Sequence, residues 1–190
     1  MLHQLTRVLF EPMKDASLKH LIFKTVFLLA VASGKRRSEI HKYVWYKENY
    51  SKVALSPSPS FISNNQLARE GSGSVSTVVI PALAPTLDGS LAHDRTLCPV
   101  RALRFYVDRT KDMREGKELL FVSLRKGVNK DIAPATISSW IKQTIILCYQ
   151  LSDKEAHTLH QVKAQDVRAF AASTAFQAGS TLKQVLTDCH

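Results

Sequence analysis

The chain has 190 residues, 45% hydrophobic and 22% charged, which is enough to bury one core and too ordinary a composition for a disordered tail. Against 16 Asp and Glu stand 26 Lys and Arg, a formal net charge of +10. That excess favours a polyanionic partner, nucleic acid first and an anionic membrane second; a basic protein with no such partner is the plainer alternative.

From the N-terminus, "MLHQLTRVLFEP" carries no signal-peptide pattern, and residues 1–16 read as an N-terminal remnant or linker. Residues 17–33 predict the clearest helix. It is apolar almost all round, so it belongs at the centre of a domain. Its run "HLIFKTVFLLAVA" is too short to span a bilayer and is interrupted by Lys24, so no membrane is expected. Gly34 is its natural stop, and in "KRRSEIHKY" Ser38 is placed to cap a further helical turn. The middle of the chain changes character. "YVWY", "SKVAL" and "VSTVVIPAL" predict short strands, separated by turn-rich "SPSPSFISNNQ" and the Gly/Ser link at residues 71–74.

Helices then return. "CPVRALRFYVDRTKD" begins with Pro99 in its first turn, where proline is tolerated, and "ELLFVS" is a short extended piece. "APATISSWIKQTIILCYQ" puts Ile137, Trp140, Ile141, Ile145 and Cys148 on one helical face. "KAQDVRAFAASTAFQAG" and "STLKQVLTDCH" are the last predicted helices, and the second is still running at His190, which suggests a C-terminally truncated domain. The expected fold class is mainly α with a small antiparallel β-sheet (α+β), in one domain over 17–190.

The catalogue of common sites excludes much. There is no Walker loop, no G-x-G-x-x-G, no H-E-x-x-H and no G-x-S-x-G. Cys98, Cys148 and Cys189 are odd in number and far apart, form no C-x-x-C pair and lie in no zinc-type cluster. A reducing compartment, cytosol or nucleus, fits them best. What stands out is arginine near helix starts: Arg36 and Arg37 after the central helix, and Arg168 in "VKAQDVRAFAAS". A guanidinium forks onto phosphate oxygens through two parallel hydrogen bonds, and two converging on one phosphate would stabilise the extra charge of a pentacoordinate transition state. The plainer reading is surface or ion-paired arginines.

"ASGKRRSEIH" resembles the first arginine box of the tyrosine recombinases, the phage-integrase-like enzymes, with Gly34, Arg36, Ser38, Glu39 and Ile40 at the positions of Ser/Thr-Gly-x-Arg-x-Ser-Glu-Leu. "KAQDVRAFAAS" resembles the second box, His-x-x-Arg, with Arg168 as its arginine. "LCPVRALRFYVDRTKDMREGKELLFVS" and "DIAPATISSWI" between them are similar to the domain carried by DIRS-type eukaryotic retrotransposons. The likeness covers nearly the whole chain in the right order.

The resemblance implies the recombinase catalytic-domain fold, double-stranded DNA as partner, possible homo-oligomers on DNA, and a nuclear location. It implies strand exchange without metal or nucleotide cofactor: a tyrosine attacks the scissile phosphate, arginines hold its non-bridging oxygens, a hairpin lysine protonates the leaving oxygen, and histidines assist. Several positions depart from the pattern. Gln165 replaces the box histidine and cannot shuttle a proton. Asn64 stands where a hairpin lysine is common, with Lys52 on the preceding strand as the substitute. The nucleophile is expected about ten residues past the late His/Trp position that falls at or just beyond His190. Tyr43, Tyr46, Tyr50, Tyr106 and Tyr149 all precede Arg168 and read as structural; His157 and His160 read as surface residues.

Lys35, Arg37 and Lys42 cluster beside Arg36 as candidate DNA-backbone contacts, joined by Arg101, Arg104, Arg109, Lys111 and Arg114 along or after one helix. Three readings follow. The chain is the catalytic domain of a site-specific tyrosine recombinase or integrase, incomplete or inactive as it stands; or a DNA-binding remnant without chemistry; or a helical protein-interaction module with incidental charge.

Overall fold

A computed structural model describes residues 2–7, 9–49, 51–59, 77–83, 95–124, 131–151, 163, 166, 167, 169 and 171, with the backbone alone at 2, 3 and 45–48. Its centre is α1 (Leu18–Ser33). The Ser17 hydroxyl accepts the His20 N–H at 3.2 Å and so satisfies one of the orphan donors of the first turn. At the other end Gly34 adopts a left-handed φ of 60°, which a residue with a Cβ resists, and its N–H closes onto the Ala30 carbonyl at 3.1 Å. Every residue from Leu21 to Ala30 is buried, as an all-round apolar helix requires.

Two helices pack on α1: α3 (Pro99–Arg109) and α4 (Pro134–Gln150). Both open with a proline in the first turn, Pro99 as the sequence predicts and Pro134 in α4. Threonines stitch the three together. Thr25 donates to the Ala102 carbonyl of α3 at 3.2 Å, and Thr144 of α4 donates to the Phe23 carbonyl at 3.0 Å. On α4, Ile137, Ile141, Ile145 and Cys148 are buried and Trp140 packs half-buried beside them, so the expected apolar face is the one used.

Between α1 and the sheet lies the short α2 (Arg37–His41). Its cap is Arg36, with Ser38 inside the first turn, so the expected serine cap is displaced by two residues. The reason is local: the Glu39 carboxylate reaches back to the Arg36 N–H at 2.8 Å and fixes the start there.

Strands β1 (Tyr43–Glu48), β2 (Lys52–Pro57) and β3 (Val78–Pro81) form an antiparallel sheet in the order β1-β2-β3. Val53 pairs with Ile80 and Leu55 with Val78; Val53, Leu55 and Ile80 are buried, which sets the register. The Asn49 side chain accepts the N–H groups of Ser51 and Lys52 and so shapes the β1–β2 turn. The "ELLFVS" segment lies extended along β1, with the Leu120 N–H on the Tyr43 carbonyl at 2.7 Å and a bridge between Val44 and Leu119. The described residues thus make a mixed fold of helices and one small antiparallel sheet, the α+β class expected.

The stretch before α1 is part of this core and does not behave as a linker. Leu5, Phe10 and Met13 are fully buried. Lys24, inside α1, donates to the Leu5 carbonyl and to Glu11, both at 2.7 Å. A buried ammonium needs such partners, and residues 2–16 supply them.

Candidate nucleic-acid interface

The segment that resembles a first arginine box folds as one continuous device. α1 is held by the core, Gly34 ends it, and the chain turns directly into α2 with Arg36 at the turn. Arg36 is exposed, and its guanidinium has no hydrogen-bond or ion-pair partner among the described residues. Arg37 is also exposed, but its Nη1 donates to Ser138 Oγ of α4 at 2.9 Å. That bond helps seat α2 on α4 and commits part of one guanidinium to the fold. Lys35 is half-buried, with its backbone N–H on Ser33 Oγ at 3.3 Å. Lys42 is half-buried at the end of α2, and its carbonyl accepts the Ser58 N–H at 2.7 Å. Four cations in eight residues therefore surround one turn, and Arg36 is the exposed one whose guanidinium has no partner among the described residues.

Lys52 begins β2 and is exposed, its backbone fixed by Asn49. Asn64 lies outside the described residues. So do Gln165 and Arg168 of the second box, and His157 and His160. Around that box Lys163 and Asp166 form a reciprocal turn. The Lys163 N–H donates to Asp166 Oδ2 at 2.8 Å and the Asp166 N–H to the Lys163 carbonyl at 3.0 Å. Residues 166, 167, 169 and 171 are helical, and Val167 and Ala171, one turn apart, are buried.

Two tyrosines can be removed from any list of nucleophiles. Tyr43 and Tyr106 lie in the core, and burial pushes both phenols above their ordinary range. The Tyr106 oxygen accepts the Val122 N–H at 3.0 Å, which is a structural use. The side chains of Tyr46 and Tyr50 lie outside the described residues.

The basic residues of α3 divide differently from the sequence expectation of a DNA-facing row. Arg109 donates to the Met13 carbonyl at 3.2 Å and to that of Ala16, tying down the N-terminal stretch. Arg114 lies over the Tyr106 ring at 5.0 Å and donates from Nε to Thr110 Oγ1 at 2.9 Å. Arg101 pairs with Glu11 at 3.3 Å. These three hold the fold, because the apolar helix interiors leave carbonyls and rings that only long cationic side chains reach. Sequence reasoning missed this.

Among the described residues no group of three His, Cys, Asp or Glu is placed to hold a metal ion, and no helix is long and apolar enough to cross a membrane. No protein-family model matches the chain, and no curated protein or solved structure matches it either.

Proposed function

We propose that this chain is a DNA-binding domain of the tyrosine-recombinase type, with the catalytic-domain fold of that family and a nearest likeness to the domains of DIRS-type retrotransposons. In this reading Arg36 and Arg168 are ligands of one phosphate, Lys35, Arg37 and Lys42 add backbone contacts, and Lys52 stands in for the hairpin lysine. The partner is double-stranded DNA in the nucleus, bound by more than one copy of the chain.

The observation that carries the proposal is the form of the first box. A buried helix ends on a left-handed glycine, and the next turn presents an exposed arginine, without a partner among the described residues, beside three further cations. A small antiparallel sheet follows at once. The chemistry assigned is phosphate binding and charge stabilisation. Proton transfer by the box histidine is not assigned, because Gln165 cannot perform it. No nucleophile is assigned to any of the five tyrosines, which all precede Arg168.

Duplex binding measured by fluorescence anisotropy across a salt series tests the reading. Phosphate contacts release counterions, so log K should fall steeply with log salt, and Arg36→Ala should reduce that slope by about 1. Weak binding that ignores salt would overturn the proposal and favour a protein-interaction module.

A further inference from the structure

Helix α2 has five residues, too few to hold a fixed shape alone, so its direction comes from what it docks on. Arg36 caps it. The Glu39 carboxylate ties the Arg36 N–H to the same helix at 2.8 Å, so any rotation of α2 carries Arg36 with it.

The docking face is set by spacing. Arg37 and His41 are four residues apart and lie on the same side of α2. Both reach α4 or the segment just ahead of it. Arg37 Nη1 donates to Ser138 Oγ at 2.9 Å, and His41 bonds through Nε2 to the Ile132 carbonyl, two residues before Pro134 opens α4. One such bond would leave a short helix free to pivot about it. Two bonds, one turn apart, fix its rotation as well.

The choice of histidine fits this role. His41 is only 4% exposed, and burying an imidazole costs free energy that an apolar side chain in the same place would not. A carbonyl can only accept, so Nε2 carries the hydrogen. Nδ1 is buried too and has no partner among the described residues. A side chain that only filled space would leave no such atom. What the imidazole adds over leucine is one directed, buried bond to the Ile132 carbonyl. We propose that His41 is a positioning residue: with the Arg37–Ser138 bond it fixes the rotation of α2 on α4, and so the direction in which Arg36 meets a DNA phosphate. This inference rests on the reading of Arg36 as a phosphate ligand.

Duplex affinity of the whole chain, measured by fluorescence anisotropy across a salt series, tests it. The variants are His41→Leu, His41→Gln and Ser138→Ala, each alone and combined with Arg36→Ala. His41→Leu removes the donor. It should weaken binding roughly tenfold, as the loss of one charge-assisted phosphate contact does, and lower the salt slope by about 1. His41→Gln places an amide N–H near where Nε2 stands and should keep both affinity and slope. The decisive readout is coupling. With Arg36 already replaced, His41→Leu and Ser138→Ala should weaken binding no further, whereas general damage to the fold would weaken it in both backgrounds. Melting temperatures show which variants fold, and Ser138→Ala, at a half-buried site, carries the coupling test if His41→Leu does not. Three results overturn the proposal: both substitutions change affinity equally with and without Arg36, a folded His41→Leu keeps the native affinity and slope, or His41→Gln loses as much as His41→Leu. If Arg36→Ala alone binds like the native chain, the phosphate reading falls and this inference with it. If Arg36→Ala weakens binding but His41→Leu and Ser138→Ala do not, this inference alone falls.

Discussion

Lys24 and Cys148 are both buried, on α1 and α4, and burial moves their titrations in opposite directions. For Lys24, desolvation lowers the pKa and Glu11 restores part of it. For Cys148, desolvation pushes the thiol up to about 11 from its ordinary 9.0. A thiol raised on folding contributes stability that is complete below pH 9 and disappears as pH rises through 11. Tyr43 and Tyr106, also raised by burial, act in the same sense above pH 10. Lys24 acts in the other sense, since its lowered pKa costs stability at neutral pH that is regained as pH climbs towards 10.5. Above pH 10 three groups oppose one, so stability should fall between about pH 10 and 11. Urea unfolding at several pH values should show this decline. Cys148→Ala should make the first part of it shallower while lowering the plateau through the lost packing. A decline of identical slope in the variant would show that Cys148 does not carry it.

At the scale of elements, the turn that displays Arg36 depends on Gly34. A Cβ at φ 60° costs roughly 1–2 kcal/mol, so Gly34→Ala should destabilise the protein by about that amount in urea unfolding. It should also weaken duplex binding more than its stability loss explains, because it re-aims the chain between Ser33 and Arg36. A variant as stable as wild type would mean that the left-handed cap is not a constraint. The elements were largely legible in the sequence: α1 from its all-round apolar run, α3 from its opening proline, α4 from its apolar spacing, the strands from β-branched runs. The legible signals were all local ones. The α2 cap was misplaced because the Glu39 reach-back, three residues on, outcompetes the nearer serine. The packed N-terminal stretch was missed because its role is set by a partner: Lys24 inside an apolar helix demands a carboxylate, and nothing in residues 1–16 says that Glu11 is the one.

For the whole molecule, the net charge of +10 has a more divided use than its size suggests. Arg101, Arg109 and Arg114 are bonded to the fold, whereas Arg36 is presented outward. Composition counts these residues alike, and only packing separates them. The candidate site is therefore half legible: the first box can be read from Gly34 to Ile40, but the surface it shares with other cations cannot. The central claim joins residues 132 positions apart in sequence, Arg36 and Arg168, on a single phosphate. A double-mutant cycle on duplex DNA affinity, with Arg36→Ala, Arg168→Ala and the pair, measures that directly. Groups sharing one phosphate should be coupled, so the double variant should lose less than the two single losses added, by about 0.5 kcal/mol or more. Losses that simply add, or a variant at Arg168 that binds like wild type, would contradict the claim.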